Sequence, residues 1–428
     1  MQRSQDFSEQ IDLKALENIR KLAGGLGNAG FDCYLVGGSV RDLLMSRPAK
    51  DYDFATNARP EQVRKIFKRT IPTGIKHGTI TVLLDSEKFE VTTYRSEGLY
   101  SDARHPDTIA FAETLEEDLS RRDFTVNALA WDPDRKILVD MHGGLDDLRD
   151  CLIRTIGKPE ERFFEDGLRT IRACRFAASL EFEIEERTRL ALSDPAIQAR
   201  TSRVAVERFS DELWKGMKSR EASRMILALE KSGLRSVVFG GAAPDLYESS
   251  RDTLNKIDTV RSPELRMAAW WMSIGLAEKE QMENLAKHLR FSGRQIQDLK
   301  YFRSHILFAE KERTVLETRA YLSELKEKYR QEAVEFLELA LEWPSEKINR
   351  ESLLKTLREC PLILSDLRIR GEDLVGIGYH GTQIGKVLRS LLESVWKEPG
   401  LNERDRLRNL AVERKPGIVP QKSQSDAL

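Results

Sequence analysis

Strand-like and helix-like patterns are segregated along this chain, and that segregation limits its fold more than any other feature. Short apolar runs bounded by turn formers fall at residues 33–36, 51–55, 79–84, 89–94, 126–131 and 137–140, and each reads as a strand. One helix precedes them over 13–30, carried by Leu16, Ile19, Leu22 and Leu26 and ended by Gly30. After Arg149 strand signals nearly vanish. Apolar residues then recur at helical spacing over 168–180, 202–217, 221–233, 263–276, 278–289, 293–309, 314–343, 350–359 and 384–396. Strands followed by helices predict an α/β head with a small mixed sheet, joined to an all-α remainder.

Composition narrows the class. The 428 residues suffice for roughly three domains. With 40% hydrophobic and 32% charged residues the chain is a folded globular protein rather than a disordered one. The 69 basic and 70 acidic side chains leave a net charge of −1, so a nucleic-acid partner requires basic residues gathered on one face. The longest apolar run, 267–277, falls short of the ~20 residues of a membrane span, so no membrane role is expected. The first ten residues (MQRSQDFSEQ) contain no apolar export signal. Cys33, Cys151, Cys174 and Cys360 are widely spaced with no CxxC pair, which predicts buried thiols in a reducing cytoplasm. No feature fixes an oligomeric state.

Two glycine motifs need separating. Gly25-Leu-Gly27-Asn-Ala-Gly30 matches GxGxxG, but a helix precedes it and a strand follows, the reverse of a dinucleotide fingerprint. It reads as a helix end. Gly37-Gly38-Ser-Val-Arg41-Asp42 has a strand before it, so its amides can approach a phosphate closely, with Arg41 one turn further on. Asp51 and Asp53 follow, two apart, which on a strand sets both carboxylates on one face. Adjacent like charges there suit a hard divalent cation, Mg²⁺, beside a triphosphate.

These residues, with three further stretches in order, resemble the class II tRNA nucleotidyltransferase (CCA-adding) / bacterial poly(A) polymerase family of the polymerase-β superfamily. The stretches are Thr73-Gly74-Ile-Lys-His77-Gly78-Thr79, Arg121-Arg122-Asp123-Phe124-Thr125-Val126-Asn127-Ala128, and Glu165-Asp166-Gly-Leu-Arg169-Thr-Ile-Arg172-Ala-Cys-Arg175-Phe176. The likeness is close over the first ~215 residues and loose beyond.

The resemblance implies an enzyme that adds the 3′-terminal CCA to tRNA from CTP and ATP by two-metal phosphoryl transfer. Gly37, Gly38 and Arg41 would cradle phosphate, and Asp51 and Asp53 would carry the metals. Glu90, on a neighbouring strand, is either a third catalytic carboxylate or an exposed edge residue. Arg122 and Asp123 would read the ribose, and Asp166 and Arg169 the base. Arg172 and Arg175 would hold triphosphate or stabilise neighbouring acids. The segment 96–113 resembles the family's flexible loop, and 370–393 its C-terminal segment, departing at Gly381-Thr382. The expected plan is a nucleotidyltransferase head at 1–148, a helical neck at 149–220, a body at 221–330, a tRNA-binding tail at 331–412 and a disordered end at 413–428. The alternatives are an A-adding enzyme working beside a CC-adding one, a poly(A) polymerase, and a non-catalytic RNA-binding factor on the same fold.

Overall fold

The computed structural model describes residues 1–49, 51–85, 87–96, 110–240, 257–276, 278–309, 315–324 and 361–415. Their contacts form two compact units, Met1–Asp258 with Ser273–Ile296 and Thr259–Met272 with Gln297–Leu428. The helix expected over 314–343 is described only at Val315–Glu324; its remainder, the helix expected over 350–359, most of the 96–113 segment, Cys360 and the chain after 415 lie outside the described residues.

The first unit is built on a mixed sheet of eight strands among the described residues: β1 Gln2–Ser4, β2 Tyr34–Val36, β3 Asp53–Thr56, β4 Thr70–Gly74, β5 Thr79–Leu84, β6 Glu87–Thr93, β7 Leu129–Asp132 and β8 Ile137–Asp140. Their order is β1-β8-β7-β2-β3-β6-β5-β4. β3 and β6 run parallel, and the other neighbours antiparallel. Period-two alternation sends Leu35, Phe54, Val91, Trp131 and Leu138 to one face, against α1 (Leu13–Asn28). Val36, Ala55, Ala130 and Val139 go to the other face, where they meet Leu115 and Leu119. Both faces are covered, which is why these strands read as continuous apolar runs.

Asp12 caps α1 by accepting from the amides of Lys14 and Ala15. The helix runs through Gly25 and Gly27, as the rejection of a dinucleotide site requires. A side chain at Gly25 would lie 2.9 Å from the Phe67 ring, so this glycine serves packing.

Two strands of this sheet had no sequence signal, nor did the short parallel pair Leu152–Ile153 and Glu183–Ile184 outside it. β1 is the polar triplet Gln-Arg-Ser, held by pairing with β8 rather than by burial. β4 contains Pro72, which demotes a run, and it occupies the sheet edge where a missing N–H costs little. The expectation of buried thiols fails at Cys151, which is exposed in a turn with φ 54°, while Cys33 and Cys174 are buried.

Further described helices in this unit include α2 Gly38–Leu44, α3 Pro60–Ile66, α4 Leu115–Ser120, α5 Gly144–Arg149, α6 Pro159–Glu165, α7 Leu168–Leu180, α8 Glu186–Leu192, α9 Pro195–Thr201, α10 Val206–Met217 and α11 Ala222–Ser232. α7 packs on both α10 and α11. In the second unit, helices Gly371–Ile377, Thr382–Lys397 and Arg404–Glu413 close over Leu374, Leu391, Val395, Trp396 and Leu407. Among the described residues no helix is long and apolar enough to cross a membrane.

Candidate active site

The sheet delivers its chemistry where the end of β2 and the start of β3 lie beside the middle of β6. β2 ends in Gly37, whose φ of 72° and ψ of −131° open α2, a conformation that favours glycine. A Cβ there would lie 3.0 Å from Arg122 Nη1, so the missing side chain is what lets that guanidinium approach. In the parallel β3–β6 pair Asp53 lies in register with Glu90. Asp53 shares its face with Ala55 by the period of two, the face that carries α4. Its surroundings and the Glu90 charge push its carboxyl pKa up, Asp51 adds to this, and Arg122 opposes it. β3 begins at Asp53, so Asp51 stands before the strand rather than on it, because no partner extends the ladder that far.

Arg41 is buried under Gly38, donating to Asp42 Oδ1 through Nε (2.9 Å) and Nη2 (2.8 Å) and to Asn127 Oδ1 through Nη1 (2.6 Å). Asp123 is engaged on all sides. Oδ2 accepts from Arg172 Nε (2.8 Å) and Nη2 (2.6 Å), and Oδ1 from the Phe124 amide (2.9 Å) and Asn127 Nδ2 (3.1 Å). A carboxylate offers about four lone-pair positions. Asp123 thus has none to spare for a ribose hydroxyl and acts as a brace for Arg172. Burial opposes its ionisation, but Arg172 and Asn127 outweigh it and hold the pKa at about 2.

α7 supplies the remaining polar wall. Asp166 precedes it, accepting from the Leu168 amide (3.0 Å) and from Arg208 of α10 through Nη2 (3.1 Å) and Nη1 (3.4 Å). Arg169 Nη1 donates to the Arg162 carbonyl (3.1 Å) and to Glu165 Oε2 (2.6 Å), and Nη2 to the Arg121 carbonyl (2.9 Å). Three of its five donors are taken, leaving two. Arg172 lies beside Glu212 as well as Asp123. Arg175 turns away to pair with buried Glu212 and stacks 3.6 Å over the Phe176 ring.

Gly37, Gly38, Arg41, Asp53, Glu90, Arg122, Asp123, Asp166, Arg169 and Arg172 all line one cavity of about 570 Å³. Asp51 and Arg175 are outside that lining. The volume falls in the range that holds a small-molecule ligand.

Residues 33–154 match the family model described as poly A polymerase head domain, and residues 181–246 the one described as probable RNA and SrmB-binding site of polymerase A. Curated relatives named CCA-adding enzyme include that of Lactobacillus johnsonii, 51% identical over 190 residues (44% of this chain, 47% of the relative). That of Streptococcus gordonii is 42% identical over 252 residues, 58% of each chain. The match thus spans about half the length of these curated relatives. Over nearly full length the chain resembles the solved Bacillus stearothermophilus CCA-adding enzyme in complex with CTP, at 27% identity and TM-score 0.66, covering 93% of this chain and 97% of that one. The Thermotoga maritima CCA-adding enzyme complexed with tRNA superposes with TM-score 0.70 at 19% identity, covering 96% and 99%, a likeness of fold.

Around this cavity several partners carried no signal in the sequence. Arg208 and Glu212 sit more than thirty residues from the acid or arginines they serve, on a helix whose spacing signalled only packing. Asp118 and Asn127 lie within or beside a quoted motif, yet nothing local distinguishes them from capping residues. Among the described residues no group of three His, Cys, Asp or Glu side chains is gathered closely enough to hold a metal unaided.

Proposed function

We propose that this chain is a tRNA nucleotidyltransferase that adds the 3′-terminal CCA from CTP and ATP, without a nucleic-acid template, in the cytoplasm. One observation carries the reading: a single cavity gathers phosphate-approaching glycines, a carboxylate pair and a base-reading acid–arginine pair. The relatives named CCA-adding enzyme support it.

Asp53 and Glu90 are a like-charged pair in register, with Asp51 adding to the repulsion, so these residues fit a hard divalent cation. Asp51 and Asp53, with Glu90 beside them, would hold Mg²⁺, which supplies charge for the triphosphate and for the attacking 3′-hydroxyl. The Gly37 amide donates to the Leu129 carbonyl, so the Gly38 amide, at the start of α2, is the one that approaches a phosphate oxygen. Arg122, whose buried Nε lacks a protein partner, serves the phosphate and ribose. Asp166 keeps a lone pair for the amino group of cytosine or adenine, and Arg169 keeps two donors for the adjacent acceptor. Uracil and guanine present a carbonyl where Asp166 needs a donor. Arg172 acts through Asp123 and Glu212 rather than on the nucleotide.

The test is to incubate the protein with tRNA ending at the discriminator base, after C, or after CC, and to sequence the products. Completion of the CCA end on all three, by adding CCA, CA and A respectively, supports the reading. Addition of A only after CC points to an A-adding enzyme, long A tails to a poly(A) polymerase, and no addition to an RNA-binding factor.

A further inference from the structure

Asp118 lies on α4, is 1% exposed, and has been given no part in the site so far. Its Oδ1 accepts from Arg121 Nη2 (2.7 Å) and Nε (3.1 Å) and from the Arg95 amide (3.1 Å), and its Oδ2 from Arg122 Nη2 (3.0 Å). Burial opposes its charge, but Arg122 and Arg121 outweigh that and hold its pKa below the ordinary carboxylate range. A buried carboxylate therefore grips two consecutive arginines and the main chain that follows β6.

The two arginines reach different groups of the cavity lining. Arg122 is held with Nη1 against Gly37 and its charge bearing on Asp53. The Arg121 carbonyl receives Arg169. A free arginine samples many rotamers, and fixing it before the ligand arrives removes that loss from binding. We propose that Asp118 is a positioning residue of this site. By pinning Arg122 over the Gly37–Asp53 end, it sets affinity for the ribose-triphosphate part of either nucleotide. It has no contact with the reacting atoms. The inference rests on the reading of the cavity as a nucleotide site.

The experiment measures CTP and ATP binding to the full chain in Mg²⁺ by titration calorimetry, and KM and kcat for each nucleotide on tRNA. The proteins are wild type, D118N, R122M and the double variant. D118N is expected to weaken both nucleotides about tenfold and to raise KM by as much, with kcat within about threefold. The double variant is expected to bind no worse than R122M alone, because Asp118 acts through Arg122. Additive losses, or a fall in kcat at constant KM, overturn the proposal. If D118N does not fold, Asp118→Glu takes its place. That variant keeps the charge but moves it by one methylene, so it must raise both KM values, and unchanged values overturn the proposal. Failure of the wild type to bind either nucleotide overturns the nucleotide reading itself. Binding by the wild type with unchanged affinity in D118N overturns only the role of Asp118.

Discussion

Replacing Asp123 by Asn keeps the shape and removes one charge from the centre of the cavity wall. The Asn127 and Phe124 donors can still find the side-chain oxygen, but the amide then turns its N–H₂ toward Arg172. Glu212, 3.8 Å away, and the more weakly acting Asp166 remain to balance that guanidinium. Asp123 falls from its ordinary pKa of 3.8 to about 2 on folding. At ~1.4 kcal/mol per unit this is about 2–3 kcal/mol of stability. Breaking a buried pair costs ~3–5 kcal/mol, and Arg172 is about one-third exposed, so screening brings the two figures together. A loss of about 2–4 kcal/mol predicts a melting temperature roughly 5–12 °C lower. The pH dependence has a definite sign. A depressed pKa contributes stability fully above the unfolded value and loses it as pH falls toward the folded one. The gap between wild type and variant should therefore be constant above about pH 5 and narrow between about pH 4 and pH 2. Calorimetric melts at pH 7, 4 and 3 test this. A variant melting within a degree of wild type, or a gap that does not change with pH, would refute the brace.

Asp53→Asn should leave the melting temperature equal or higher at pH 7, because the raised Asp53 pKa makes its charge a cost to the folded state as pH rises above 3.8. The same variant should lose nucleotide addition in Mg²⁺ by roughly a thousandfold or more, and near-normal turnover would remove Asp53 from the metal assignment. Asp166→Ala should relax discrimination against UTP and GTP roughly ten- to a hundredfold, at ~1–3 kcal/mol per base-edge pair, and Arg208→Met should move selectivity the same way by releasing the carboxylate. Competitive incorporation of all four nucleotides checks both, and equal slowing with unchanged selectivity would count against them. Gly37→Ala should cost about 1–2 kcal/mol from its positive φ and displace Arg122, raising KM for CTP and ATP alike, so an unchanged KM would mean the close approach is dispensable.

The helices and strands that carry motifs were legible because their chemistry is local. Val36 runs straight into Gly37, and the 168–180 helix holds Arg169, Arg172 and Arg175 at fixed spacing. The sequence also placed Glu90 on a strand beside Asp53, though not the parallel register that aligns them. What escaped was set by tertiary pairing. β1 and β4 exist because an edge strand offered them a ladder. The burdened state of Asp123, which removes it from ribose reading, depends on Arg172, 49 residues away. Spacing on α7 fixed the arginines' directions but not which acids would meet them: Glu165 takes Arg169, Asp123 takes Arg172, and Glu212 of α10 takes Arg175.

Two of the three bonds that fix Arg169 end on the main-chain carbonyls of Arg121 and Arg162. Main-chain oxygens are the same whatever side chain a codon specifies. Drift at positions 121 and 162 therefore cannot delete those two acceptors, provided the backbone keeps its path. Only Glu165 ties the arginine to a mutable group. Arg169, the base reader of the proposed function, is in this way buffered against neutral change around it. A lineage could alter much of the surrounding sequence while inheriting the same preference for its nucleotides.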